Sequence, residues 1–220
     1  MTWTLHHGDC LDPVAGLASL EDKSVDHVIC DPPYEAEAHT MARRQRSGGG
    51  VDVMAIPFDA MTANGRVLYA AEMVRVSRGW IIAFCQVEAV SSWRDALVSS
   101  GAKWIRAMAW VKPDGSPQFT GDRPAQGYEC MAVAWAGAGR CKWNSGGKRG
   151  VYTHLVGASG RDVNPHPTTK PLSLMRELVE DFTDPGDLIL DPFAGSGTTA
   201  IAALMLGRQP SLFGAIGGAR

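Results

Sequence analysis

The chain has 220 residues, 45% of them hydrophobic and 20% charged, with a formal net charge of −2. That balance excludes an intrinsically disordered chain and a generally basic nucleic-acid coat, so any nucleic-acid contact must be a local patch. A chain of this length buries roughly 70% of its unfolded surface and holds a core without covalent staples.

The predicted elements alternate between strand and helix, the pattern of an α/β sheet with helices on its faces. Thr4 to His7 reads as a short strand ending at Gly8-Asp9, and Leu11 to Leu20 has helical spacing. Asp26 to Cys30 is a short apolar strand, stopped by Asp31-Pro32-Pro33-Tyr34. Residues 35–60 have no clean period and carry Arg43, Arg44 and Arg46 and three successive glycines, which predicts a mobile loop. Met61 to Val76 reads as a helix and Trp80 to Cys85 as a strand apolar enough to be buried on both faces. A helix over Val87 to Ser99 closes at Gly101, and strands follow at Lys103 to Val111 and Glu129 to Trp135. Residues 136–165 are Gly-rich and basic, hence a loop. Leu172 to Phe182 is an amphipathic helix, with Thr169 expected as its N-cap and Pro171 in its first turn. Asp187 to Leu190 is a strand, then come a glycine turn and a helix from Thr198 to about Leu206. Beyond Gly207 the pattern degrades, and Leu212 to Ile216 is at best a weak edge strand.

Three segments carry chemistry. Asp31-Pro32-Pro33-Tyr34 puts a carboxylate and a rigid backbone carbonyl at the end of a strand. Both can accept from an exocyclic amine, the prolines remove competing donors, and the tyrosine offers a ring face for an extruded base. Asp191 to Thr199, DPFAGSGTT, lets backbone approach a ligand at a helix N-terminus. Ala200 stands where a dinucleotide fingerprint needs its third glycine, so a nicotinamide dehydrogenase is disfavoured. His166-Pro167-Thr168-Thr169-Lys170-Pro171 gathers hydroxyls and an ammonium at a helix start, a setting that can hold a carboxylate.

In this order the three segments resemble the β-group of S-adenosylmethionine-dependent DNA amino-methyltransferases of bacteria and phages, over Leu5 to about Arg208. The resemblance implies one Rossmann-like α/β domain over residues 1–220, circularly permuted so that the catalytic motif precedes the cofactor motif. It implies catalysis by Asp31, Pro32, Pro33 and Tyr34, and an S-adenosylmethionine site drawing on Asp9, Cys10, Asp31, Thr168, Thr169, Lys170, Asp191, Phe193, Gly195, Ser196, Gly197 and Thr198. Thr168 to Lys170 are expected at the methionine carboxylate and Asp9 near the adenine. The implied substrate is double-stranded DNA, with adenine N6 favoured over cytosine N4 by the Asp at position 31. Trp110-Val111-Lys112 and Tyr128-Glu129 resemble later sheet motifs of mainly structural weight.

Two basic clusters are the expected phosphate contacts: Arg43, Arg44 and Arg46, and Arg140, Lys142, Lys148 and Arg149. The region at 136–165 occupies the place of the family's target-recognition segment and is short. The family's next strand ends in an acid that accepts from the ribose, but Gly207 to Arg220 contain no Asp or Glu. The tail therefore reads as truncated, which predicts weak cofactor binding and a sheet face left for solvent, a second copy or a partner subunit. A catalytically defective binding remnant is the rival reading of a different class.

The five cysteines, Cys10, Cys30, Cys85, Cys130 and Cys141, are scattered and never form C-x-x-C, so neither disulfides nor a metal site is expected. No leader or membrane-length apolar run is visible, and the cytoplasm is the expected compartment.

Overall fold

The computed structural model describes residues 3–34, 44–47, 50–53, 61–156 and 169–214. Its frame is a mixed sheet of eight strands: β1 (Thr4–His7), β2 (His27–Cys30), β5 (Trp80–Cys85), β6 (Lys103–Val111), β7 (Tyr128–Trp135), β8 (Val151–Thr153), β9 (Leu188–Asp191) and β10 (Gln209–Gly214). The spatial order is β1-β10-β9-β2-β5-β7-β6-β8. β1, β10, β9, β2 and β5 run parallel, and β7 is antiparallel to both β5 and β6.

The sheet is buried on both faces because its central strands are apolar at every position, as the runs HVIC and WIIAFC foretell. Val28, Cys30, Ile81 and Ala83 point to one face, where α1 (Ala63–Val76) supplies Met73 and Ala70 and α2 (Val90–Ser99) supplies Trp93 and Leu97. Ile29, Ile82 and Phe84 point to the other. There α3 (Leu172–Phe182) supplies Leu174, Met175, Leu178 and Val179, and α4 (Thr198–Met205) supplies Ala202 and Ala203. The Thr62 hydroxyl caps α1 by accepting from the Gly65 amide at 3.0 Å.

Four sequence expectations are corrected. The helical spacing over Leu11 to Leu20 yields only turns and one 3-10 turn at Leu17–Ser19. Asp12 Oδ1 accepts from the amides of Val14 and Ala15, and this local bonding competes with the helix. Within residues 35–60, β3 (Arg44–Ser47) and β4 (Gly50–Val53) form an antiparallel hairpin in place of a loop; the rest of that stretch lies outside the described residues. The N-cap of α3 is Pro171, with no side-chain cap, so Thr169 does not have that role.

The largest correction is the tail. β10 is an internal strand, paired with β1 on one side and β9 on the other. Pro210 is tolerated because it precedes Ser211, where the ladder with β1 begins. Leu212 and Phe213 are buried, and Phe213 stacks on the His6 ring at 4.4 Å. The face expected to lie open is covered along this strand.

Candidate active site

The chain order of the parallel strands reverses between β9 and β2, and ligands bind at the carboxyl ends of strands flanking such a switch point. Asp31 follows β2 and Asp191 ends β9, so the two sequence motifs meet there.

Asp191 is 2% exposed, and its Oδ1 accepts from the Phe193 amide at 3.0 Å. Burial pushes its carboxyl up to about 7, against the opposing pull of the Thr199 hydroxyl and the Phe193 amide, with the Asp31 charge adding to the rise. The glycine turn follows. Gly195 and Gly197 hold φ values of 49° and 73°, a conformation that disfavours side chains. A Cβ at Gly197 would meet nothing within 4 Å, so the turn leaves open backbone toward the site. Gly197 caps α4 without any side-chain bond, while Ser196 and Thr198 pair their hydroxyls at 2.8 Å. Tyr69 of α1 packs edge-on against Phe193 at 4.8 Å. Asp9 is exposed beside the end of β1 and accepts from the Leu11 amide at 2.9 Å. Cys10 is buried, and burial followed by the Asp9 charge pushes its thiol up to about 12, which leaves it a neutral wall. An uncapped helix start, an open glycine backbone and an exposed acid fit the glycine-turn half of an S-adenosylmethionine site.

The Asp-Pro-Pro-Tyr segment is held from the far side of the chain. Lys170 Nζ donates to Asp31 Oδ2 at 2.6 Å and lies 3.3 Å from both the Tyr34 hydroxyl and Glu129 Oε2. The Tyr34 hydroxyl donates to Glu129 Oε2 at 2.7 Å, and Lys112 pairs with Glu129 Oε1. Asp31 Oδ1 is buried and has no hydrogen-bond partner among the described residues. Burial raises the Asp31 carboxyl above the usual range; Lys170 opposes that rise and Glu129 adds to it. Burial alone would lower Lys170, but the Asp31 and Glu129 carboxylates outweigh it and keep the ammonium charged. For Glu129 too, burial is overcome by Lys170 and Lys112, and its carboxyl falls to about 2.

Lys170 therefore faces Asp31 and Glu129. Thr169 lies one residue before it, and Thr168 is outside the described residues. Glu129 and Lys112 belong to segments whose resemblance implies mainly structural weight; the signal that marks them is an acid in the otherwise uncharged β7 run YECMAVAW and a lysine just past the end of β6.

The basic residues divide. Arg44 and Arg46 lie on β3 and Arg43 is outside the described residues. Arg140 and Lys142 line a cavity of about 230 Å³ with Asp26, His27 and Arg78, at the starts of β2 and β5. That is the end of the sheet opposite Asp31, on the order of 20 Å away along six residues of strand. Lys148 pairs with Glu177 at 2.7 Å and with Asp181, which also accepts from the Tyr152 hydroxyl at 2.7 Å. Its ammonium ties the loop to α3 and is spent on carboxylates. Arg149 is exposed just before β8, which pairs with the end of β6 and so returns the chain to the Asp31 end.

No helix among the described residues is long and apolar enough to cross a membrane, and no group of three or more His, Cys, Asp or Glu among them could hold a metal ion.

Residues 25–217 match the family described as DNA methylase, N6_N4_Mtase. YubD of Escherichia coli (strain K12) is 28% identical over 204 residues, covering 92% of this chain and 80% of its own. The type II methyltransferase M2.MboI of Moraxella bovis is 25% identical over 225 residues, covering 94% and 81%. The solved M1.HpyAVI–SAM complex superposes with a TM-score of 0.71 at 25% identity, covering 97% of this chain and 93% of that one. The cytosine-N4-specific PvuII DNA methyltransferase superposes at 0.74 with 15% identity, covering 98% and 82%, a likeness of fold.

Proposed function

The chain belongs to the DNA methylase family, and we propose on that ground that it transfers a methyl group from S-adenosylmethionine to the exocyclic N6 amine of adenine in double-stranded DNA. The observation that carries the reading is the state of Asp31. One carboxylate oxygen is held by Lys170, and the other, Oδ1, is buried and unpartnered among the described residues. A buried acceptor without a donor costs about 1–3 kcal/mol, and an amine N–H placed there recovers it.

S-adenosylmethionine supplies an electrophilic methyl on its sulfonium. The residues that would hold it are Asp9, Phe193 and the backbone of Gly195 to Thr198, with Cys10 and Asp191 as walls. The chain's own work is done at the amine, whose lone pair is delocalised into the base ring. Asp31 and the Pro32 carbonyl accept its two N–H donors and draw the nitrogen toward tetrahedral geometry, which frees the lone pair for in-line attack. No side-chain nucleophile is needed; positioning and electrostatics supply the acceleration. The target base must leave the helix stack, at a few kcal/mol, and the Tyr34 ring gives it a stacking surface worth about 1–3 kcal/mol.

Adenine is preferred because Asp31, and not Ser, opens the tetrapeptide. The Arg43, Arg44 and Arg46 segment follows the catalytic motif directly and is the proposed phosphate contact, joined by Arg149. Nucleoside analysis of duplex DNA treated with the protein and S-adenosylmethionine tests the reading. N6-methyladenine is expected. N4-methylcytosine would replace the base assignment, and no methylated nucleoside would overturn the activity.

A further inference from the structure

Four charged groups and one hydroxyl form one connected network: the Tyr34 hydroxyl, Glu129 and Lys170 meet one another, Asp31 joins through Lys170 and Lys112 through Glu129. They come from four places in the chain: the loop after β2, the end of β6, the start of β7 and the residue before Pro171. The two lysines and two carboxylates balance, and the side chains of Glu129, Lys112 and Lys170 are only 15%, 14% and 11% exposed. Lys112 lies over the Trp110 ring at 4.5 Å, and Lys170 lies 5.1 Å from the Phe84 ring.

Burying such a set is a poor way to gain stability, because the desolvation of each charge offsets its attraction to the next. Apolar side chains at 112 and 129 would close the sheet end as well. What they could not do is fix the Tyr34 hydroxyl and the Lys170 ammonium. Glu129 Oε2 binds both: it accepts from Tyr34 at 2.7 Å and faces Lys170 Nζ at 3.3 Å, while Lys112 holds the other oxygen. Through Lys170 it also sets which Asp31 oxygen is occupied and which is left for the substrate.

We propose that Glu129, clamped by Lys112, is the positioning residue of this active site: it orients the Tyr34 ring and, through Lys170, the Asp31 carboxylate. The proposal rests on the methyltransferase reading. Glu129 itself touches neither base nor methyl donor; its effect passes through Tyr34 and Lys170.

Steady-state kinetics on a duplex substrate test it. Glu129→Gln keeps the size but removes the charge that faces both lysines. It is expected to lower kcat about ten- to a hundredfold, the scale of a misplacement of order 1 Å in the reacting groups. KM for S-adenosylmethionine should stay near wild type, while the melting temperature falls because two buried ammonium groups lose their shared counter-charge, so kcat is compared well below both melting transitions. In a Tyr34→Phe background the same substitution should cost well short of the product of the two single losses. An unchanged kcat, a loss confined to KM, or losses that multiply would each overturn the proposal. If Glu129→Gln does not fold, Lys112→Gln loosens the same carboxylate from its outer side. A several-fold fall in kcat is then expected, and an unchanged kcat overturns the proposal. A wild-type protein inert on every duplex would instead overturn the methyltransferase reading, and this one with it.

Discussion

Lys170 Nζ sits 2.6 Å from Asp31 Oδ2, although 139 residues separate the two in sequence. The contact divides the Asp31 carboxylate into an oxygen bound by the protein and an oxygen with no partner among the described residues, the one proposed above to receive the target amine. Asp31→Ala removes the proposed acceptor of the target amine and leaves the residues of the glycine turn in place. Methyl transfer should fall about a hundred- to a thousandfold, with S-adenosylmethionine binding changed by less than about threefold; mutagenesis of single preorganised charge-stabilising groups has this scale. Single-turnover methylation and titration calorimetry read the two quantities separately, and an Asp31→Ala protein with near wild-type turnover would sink the mechanism.

Tyr34 has two jobs that substitutions can separate. The ring is the proposed stacking surface, while the hydroxyl anchors it to Glu129 at 2.7 Å. Stacking needs only a ring face, whereas the bond to Glu129 needs the hydroxyl. Tyr34→Phe should keep capture of an extruded base but lower kcat by roughly tenfold, the worth of one hydrogen bond to a charged group. Tyr34→Ala should lose both. Fluorescence of a 2-aminopurine placed at the target position reports extrusion, and equal damage by Phe and Ala would refute the division.

Asp191 makes stability depend on pH. Its carboxyl lies near 7 in the folded chain and near 3.8 when unfolded. Below about pH 4 it is neutral in both states and imposes no penalty. As pH rises toward 7 the unfolded chain releases the proton first, so folding stability falls, by no more than about 4 kcal/mol. Asp191→Asn cannot titrate. Its melting temperature relative to wild type should therefore climb between pH 5 and pH 8 without cofactor, and a difference independent of pH would disprove the assignment.

The two ends of the sheet should respond differently to salt. Replacing Arg140 and Lys142 by Ala is expected to leave the dependence of log K on log salt for duplex binding unchanged, because both line the cavity far from Asp31. Replacing Arg43, Arg44 and Arg46 should flatten it by up to about three charges' worth, near 0.9 per phosphate contact. The opposite pattern would put the DNA at the wrong end of the molecule.

The strand end that should carry a ribose-binding acid is Gly214, hydrogen-bonded through its carbonyl to the Gly8 amide and close enough to Ala194 that a Cβ there would sit 3.2 Å from the Ala194 methyl. No Asp or Glu occurs from Gly207 to Arg220. Two charge-assisted bonds are missing, so S-adenosylmethionine should bind about 10- to 100-fold more weakly than in a relative with that acid. Calorimetry giving a Kd at or below about one micromolar, near −8 kcal/mol, would show that another group does this work.

What the amino-acid sequence determined by itself is local or adjacent. The apolar runs HVIC and WIIAFC announce central strands because a sheet covered on both faces needs no polar alternation. The stripe along Leu172 to Phe182 announces α3, and Asp-Pro-Pro-Tyr and the glycine turn stand at strand ends because those types are adapted to loop chemistry at a carboxyl edge. Tertiary structure alone decided what depends on partners distant in the chain. Pro210 and the glycines make β10 a poor strand by sequence, yet pairing with β9 on one side and, across the length of the chain, with β1 on the other makes it internal. Lys148 looked like a phosphate contact until Asp181 and Glu177 came beside it. Glu129 and Lys112 stand in segments that resemble sheet motifs of mainly structural weight, and nothing in the sequence pairs them with Asp31. Their meaning lies in the register of β6 against β7, which sets them at the same sheet end as Asp31, and in a low-dielectric setting where two carboxylates and two ammonium groups must satisfy one another.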